Sequence, residues 1–111
     1  MGNLVQVYVE EQTPWGYRLM ADIVLTRVRK TYMALVGLYT DDWECLGDTA
    51  LPMDISAETA ARIGENRRGA CYNRVQFESA CKLLKRRSDD LKIVLWHMAH
   101  HNRTRAICVI H

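Results

Sequence analysis

The chain has 111 residues, 49% hydrophobic and 25% charged, a balance that excludes intrinsic disorder and indicates one globular domain spanning residues 1–111. The net charge of +2 hides a division by position, because residues 1–60 carry 4 basic and 9 acidic side chains whereas residues 61–111 carry 11 and 4. The first segment is formally −5 and the second +7, so we expect the C-terminal part to attract anions.

The N-terminal part of the chain predicts strands. Residues 4–11 alternate between valine or leucine and polar side chains, which is typical of a strand with one buried face. Thr13-Pro14-Trp15-Gly16 then supplies turn chemistry. Residues 17–29 fit both a strand face and a helical stripe, and their many β-branched residues favour the strand. A third strand is predicted over residues 31–39, followed by a loop over residues 43–52.

Two helices are predicted next. Ser56 can cap a helix that runs from Ala57 to about Asn66 and that Gly69 helps to terminate. The second helix has the stronger local signature. Asn73 and Gln76 have the spacing of a capping box, and Tyr72 before the cap can pack on Phe77 after it. Its apolar side chains recur at helical spacing, and three cations, residues 85–87, lie where the helix dipole favours them. The apolar stripe consists of Phe77, Ala80, Cys81 and Leu84.

The C-terminal part predicts a β-hairpin. Residues 91–99 and 106–110 are almost continuously apolar, and a turn at His101-Asn102 would pair His97 with Ala106 and Leu95 with Cys108. Both faces of these strands are apolar, which predicts central strands covered on both sides. The predicted fold is therefore α+β: a mostly antiparallel sheet, built from the N-terminal strands and this hairpin, with two helices packed on one face.

Histidines and cysteines offer only weak catalytic or metal-binding patterns. On a helix, His97, His100 and His101 would project from one side, but on the predicted hairpin they diverge, so we predict no metal site and no cofactor. Cys71 is the most plausible reactive thiol because it precedes a predicted helix and lies near Arg68 and Arg74. The more common interpretation is a half-buried thiol in a turn. The wide spacing of the four cysteines favours reduced thiols over a zinc site.

The basic tract is the strongest functional pattern. Eight cations lie between residues 62 and 87, against only Glu65 and Glu78. Arginine dominates, which suits forked contacts to phosphate or carboxylate. The alternative interpretation is a solvated helix face whose end charges interact with the dipole. Tyr72 is the one aromatic residue near the tract, so the sequence gives base stacking little support. The predicted partner-binding residues are Arg67, Arg68, Arg74, Lys82, Lys85 and Arg86, with Arg103 and Arg105 as an extension.

Three hypotheses follow. The leading one is a non-enzymatic binding or inhibitor protein whose basic helical surface engages an anionic partner, either nucleic acid or another protein. Its alternative is a metal-dependent or histidine-assisted nuclease that uses His97, His100 and His101. A third is a homodimer formed through Trp15, Tyr39 and Trp43. No apolar run approaches the roughly 20 residues that cross a bilayer, and no secretory signal is recognisable, so we expect a cytoplasmic protein.

Overall fold

The fold is known here from a computed structural model, which describes residues 5–25, 34–36, 46–65, 68–83, 89–101 and 103–110. These residues form four strands, three α-helices and one short 3-10 helix at Ala34–Val36. In chain order they are β1 (Val5–Thr13), β2 (Gly16–Leu25), α1 (Ala57–Ile63), β3 (Gly69–Asn73), α2 (Arg74–Leu83), α3 (Asp89–His100) and β4 (Thr104–Ile110).

The strands form one antiparallel sheet in the order β2-β1-β4-β3. This confirms the predicted α+β class and the mostly antiparallel sheet. β1 and β2 are the predicted N-terminal strands, and Thr13 pairs with Gly16 at the predicted turn, where Gly16 has a positive φ of 124°. Strand is thus the correct alternative for residues 17–25. Of the third predicted strand, residues 34–36 are instead the 3-10 helix, and the remainder lies outside the described residues.

The helix α2 is the element that the sequence predicts best. The Asn73 backbone N–H donates to Gln76 Oε1 at 2.9 Å, and the Gln76 N–H donates to Asn73 Oδ1 at 2.8 Å, which is the reciprocal capping box. Tyr72 packs edge-on against Phe77 with ring centroids 5.6 Å apart. Phe77, Ala80 and Cys81 are buried as predicted. Leu84 and residues 85–87 lie outside the described part of the chain.

The predicted C-terminal hairpin is wrong. Residues 91–99 belong to the helix α3, which buries Leu91, Val94 and Met98 at helical spacing. Asp89 and Asp90 occupy its first turn, where carboxylates favour the helix dipole. An apolar run of this length suits a helix better than a strand, and periodicity alone does not separate the two. β4 does form a central, fully covered strand, but its partners are β1 and β3 rather than residues 91–99.

The strand β3 is absent from the sequence-based prediction, and Gly69 belongs to it rather than to a helix terminus. A side chain at Gly69 would overlap the backbone carbonyl of Cys108 in β4, so close strand pairing depends on glycine here. The helix α1 ends earlier than predicted, at Ile63. Gly64 follows with a φ of 66° and donates its N–H to the Ala60 carbonyl at 3.0 Å.

The helices cover both faces of the sheet, which corrects the prediction of two helices on one face. α2 and α3 pack against the face that carries Val5, Val7 and Val9, and this side holds the larger apolar cluster. α1 lies on the opposite face, where Ile63 joins a small cluster. The other buried members of the small cluster are Tyr8, Ile107 and Val109.

A buried ion pair fixes α1 on its face of the sheet. Glu10 Oε1 accepts hydrogen bonds from two Arg105 nitrogens, Nε at 3.0 Å and Nη2 at 2.8 Å. Its second oxygen, Oε2, accepts from the Ser56 backbone N–H at 3.0 Å and from Thr59 Oγ1 at 2.8 Å. Arg105 also donates to Asp54 Oδ1 at 2.9 Å. Both carboxylate oxygens of Glu10 thus accept hydrogen bonds, and these charge-assisted bonds link the sheet to the start of α1.

Candidate anion-binding site

Five elements, β1, β3, β4, α2 and α3, meet at one end of the sheet. The Gln12 N–H donates to the Arg103 carbonyl at 3.1 Å, which joins the end of β1 to the connection between α3 and β4. Asn73, opposite Arg105 in the sheet register, ends β3 and caps α2. The start of α2 and the end of α3 are therefore brought beside the start of β4.

A groove of about 340 Å³ lies at this junction. Met98 and Ala99 contribute apolar surface, while cations and hydrogen-bonding side chains contribute the polar surface. We call this feature the basic groove. Its lining residues are Asn73, Arg74, Val75, Met98, Ala99, His101, Arg103 and Thr104.

The cations of the basic groove are only partly neutralised. Arg74 uses its Nε to bind Glu78 Oε1 at 3.0 Å, and its two terminal nitrogens have no partner among the described residues. Arg103 is exposed and forms no ion pair within the described part of the chain. His101 Nδ1 lies 3.3 Å from Glu11 Oε2. Two guanidinium groups from distant parts of the sequence thus remain available to an anion at one groove.

The predicted partner-binding surface is described only in part. Arg68 and Lys82 are exposed, and Arg74 lines the basic groove. Arg67, Lys85 and Arg86 lie outside the described residues, so the gathering of all six into one patch stays a prediction.

Two cations, Arg62 of the basic tract and Arg105 of its predicted extension, are engaged elsewhere. Arg105 is buried against Glu10 and does not extend the basic surface as predicted. Arg62 binds Asp22 at 2.6 Å on the side of the sheet that α1 covers. Arg103, by contrast, lines the basic groove together with Arg74.

The three histidines lie together at the end of α3, as the helical alternative requires. The rings of His97 and His101 stack with centroids 5.9 Å apart, and those of Trp96 and His100 stack at 4.2 Å. His97 Nδ1 is buried without a hydrogen-bond partner among the described residues, and burial, aided by His101 and His100, lowers the pKa of His97. No group of three or more His, Cys, Asp or Glu among the described residues is arranged to hold a metal ion.

Cys71 is not activated in the way that its sequence neighbours indicate. It lies in β3 rather than in a turn between helices, half-buried against the small cluster. Burial raises the pKa of its thiol to about 11, and the opposing effect of Arg105 does not offset this. Cys71, Cys81 and Cys108 are all free thiols.

Trp96 is the functional candidate that the sequence analysis missed. It is 54% exposed on α3, beside the histidines, whereas Tyr72, the aromatic residue considered for stacking, is fully buried. Predicting residues 91–99 as a strand hid the contacts that Trp96 makes with His97 and His100 on a helix. Trp15, proposed for a dimer surface, is 93% exposed at the β1–β2 turn. Its suggested companions Tyr39 and Trp43 lie outside the described residues, so the homodimer stays a prediction.

Comparisons of the chain with protein-family models, with curated proteins and with solved structures gave no match. Among the described residues, no helix has the length and apolar character needed to cross a membrane. Function is therefore argued from the basic groove and its surroundings alone.

Proposed function

We propose that this protein is a non-enzymatic binding protein that engages an anionic partner through the basic groove and the adjoining surface of α2. The observation that carries the proposal is the convergence of Arg74 and Arg103 on one groove, although 28 intervening residues separate them in the sequence. Both keep unpaired guanidinium nitrogens among the described residues. Arginine binds phosphate or carboxylate through two parallel hydrogen bonds, so the groove suits either anion.

Neutralising the groove tests this proposal directly. The double variant Arg74→Gln, Arg103→Gln removes both guanidinium groups, and we expect it to elute from heparin-agarose at a clearly lower salt concentration than the wild type. The matched control is Arg62→Gln, Lys92→Gln, which removes the same total charge outside the groove. Equal elution of the two double variants would show that only net charge matters and would overturn the proposal.

The rest of the predicted surface needs a separate variant. Replacing Lys82, Lys85 and Arg86 by glutamine removes three cations from the C-terminal end of α2 and the residues that follow it. If the contact surface extends along the helix, this triple variant also elutes earlier than the wild type. If it elutes with the wild type, the basic groove alone is the contact site.

The alternative function is a histidine-assisted nuclease, which the position of His101 in the basic groove favours. A nuclease would cleave labelled RNA or DNA during prolonged incubation, and the cleavage would disappear in His101→Gln. Adding magnesium or a chelator separates metal-dependent from metal-independent cleavage. Under the leading proposal the nucleic acid stays intact in all of these reactions.

A further inference from the structure

We propose that the anionic partner is single-stranded nucleic acid, whose bases stack on Trp96 while its phosphates bind the basic groove. This inference rests on the proposed function and names the ligand class. Its evidence is an exposed aromatic surface on α3 that has no role in the proposed anion binding. On the outer side of α3, Ile93 and Trp96 are 46% and 54% exposed, beside the exposed His100.

The Trp96 indole is held in place before any ligand binds. Its ring stacks on the His100 ring with centroids 4.2 Å apart and an interplanar angle of 22°. The His97 ring lies perpendicular to the indole, with centroids 5.0 Å apart and an interplanar angle of 89°. His100 is itself fixed, because its Nδ1 forms a 2.8 Å hydrogen bond with the Trp96 carbonyl. We call Trp96 and His100 the aromatic platform. A fixed ring loses little conformational freedom when a base stacks on it.

The aromatic platform is linked to the basic groove through the rings of His97 and His101. His97 touches Trp96 on one side and stacks on His101 on the other, with ring centroids 5.9 Å apart. His101 lines the basic groove together with Arg74 and Arg103. A flexible chain that places an aromatic ring on Trp96 can therefore bring a neighbouring negative charge to the arginines.

Single-stranded nucleic acid has the required combination of features. Each nucleotide carries a planar base and a phosphate, and proteins that bind single strands join stacking aromatics to a cationic groove in this way. In a duplex the base faces are already stacked, and reading it requires a groove-inserted element. The carboxylates of an acidic peptide can bind the arginines, but acidic side chains carry no planar ring that could stack on Trp96. The observations therefore favour the single strand.

The test measures affinity by fluorescence anisotropy of labelled oligonucleotides of about twelve nucleotides. The probes are oligothymidine DNA, oligoadenosine RNA, a DNA duplex of equal length, and polyglutamate as a competitor. Trp96→Leu keeps an apolar side chain but removes the ring, and we expect it to bind the single strands about tenfold to a hundredfold more weakly. Trp96→Tyr keeps a stacking ring and is expected to stay close to the wild type. Circular dichroism confirms that both variants fold.

The outcomes separate this inference from the proposed function. Tight binding of single strands, weaker binding of the duplex and a selective loss in Trp96→Leu support the inference. If the duplex or polyglutamate binds as tightly as the single strands, or if Trp96→Leu binds like Trp96→Tyr, stacking is overturned while the anion-binding function stands. If no probe is bound and heparin does not retain the wild type, both proposals fail.

Discussion

Arg103 combines a charged side chain with a backbone conformation that favours glycine. Its φ of 50° lies in the left-handed region, which costs a residue with a Cβ about 1 kcal/mol. We predict that Arg103→Gly is more stable than Arg103→Ala by about 1 kcal/mol, because only glycine relieves the strain. Both variants lose the guanidinium and should elute equally early from heparin-agarose. Urea denaturation measures the stability difference, and equal midpoints would show that the conformation carries no strain.

The Glu10–Arg105 pair is the most deeply buried ion pair among the described residues. Both side chains are almost fully buried, so removing the Glu10 charge leaves Arg105 with the largely exposed Asp54 as its charged partner among the described residues. We predict that Glu10→Gln lowers the free energy of unfolding by about 3 kcal/mol or more. Asp54→Asn is the matched control, since it makes the same chemical change to another partner of Arg105. Asp54 is 66% exposed, so its loss should cost less than about 1 kcal/mol. Equal losses in urea denaturation would contradict this assignment.

His97 makes stability depend on pH. Burial, with His101 and His100 nearby, lowers its pKa in the folded protein below the ordinary value of about 6.5. The unfolded chain therefore takes up a proton first as the pH falls, and folding stability decreases below about pH 6.5. Next to His101, which stacks on His97, lies the charged side chain of Glu11, and Arg18 binds Glu11 in turn.

Replacing His97 by leucine isolates its contribution. Thermal melts between pH 7.5 and pH 5 should show a smaller loss of stability in His97→Leu than in the wild type, because the group that gains a proton on unfolding is absent. His100, His101 and the Glu11–Arg18 pair are the same in both proteins, so the difference between the two melting series isolates His97. Parallel melting curves over this range would mean that His97 does not cause the pH dependence.

At the scale of elements, α2 depends on local interactions that can be tested one at a time. Asn73→Ala removes the N-cap and should lower the free energy of unfolding by about 1 kcal/mol. Ser79→Ala, in the middle of the same helix, is the control and should change stability by less than about 0.5 kcal/mol, because alanine has the higher helix propensity. Urea denaturation compares the two variants. A loss in Asn73→Ala no larger than that in Ser79→Ala would show that the capping box contributes little.

What the sequence predicted correctly is what local chemistry determines. The cap of α2, the valine alternation of β1 and the turn at Gly16 each depend on residues a few positions apart. The β3 strand and the α3 helix depend on distant partners. β3 is five residues long and is held in the sheet by its pairing with β4. The apolar run of α3 does not separate a strand from a helix by its periodicity alone.

In the candidate site too, the features set by residues close in sequence were predicted and those set by distant residues were not. Arg74 was identified from the basic tract, since composition reveals charge without any knowledge of the fold. Arg74 and Arg103 share one groove, and Trp96 lies beside the histidines at the end of α3, only because α3 is a helix that ends beside the start of α2. The sequence analysis gave base stacking little weight because Tyr72 is the one aromatic residue near the basic tract. The structure buries Tyr72 in the core and exposes Trp96 instead.

At the scale of the whole molecule, part of the opposite charge on the two halves of the chain is neutralised by ion pairs within the fold. Acidic residues of the N-terminal part bind basic residues of the C-terminal part across the sheet, as Glu10 does with Arg105 and Asp22 with Arg62. Glu11 and His101 form a third such contact. What remains for a partner is therefore a smaller set of cations than the sequence total indicates, and Arg103 belongs to it.

The two apolar clusters should unfold as one unit. They lie on opposite faces of the sheet but share β1 and β4, whose side chains point alternately into each. We predict that Ile63→Ala, in the small cluster, lowers stability by about 2 kcal/mol or more and shifts all probes together. The probes are far-UV circular dichroism and the fluorescence of Trp96, measured with Trp15 and Trp43 replaced by phenylalanine. Met53→Ala, fully exposed before α1, is the control and should leave both transitions in place. A loss of helical signal before the Trp96 transition in Ile63→Ala would show that α1 and the small cluster unfold independently.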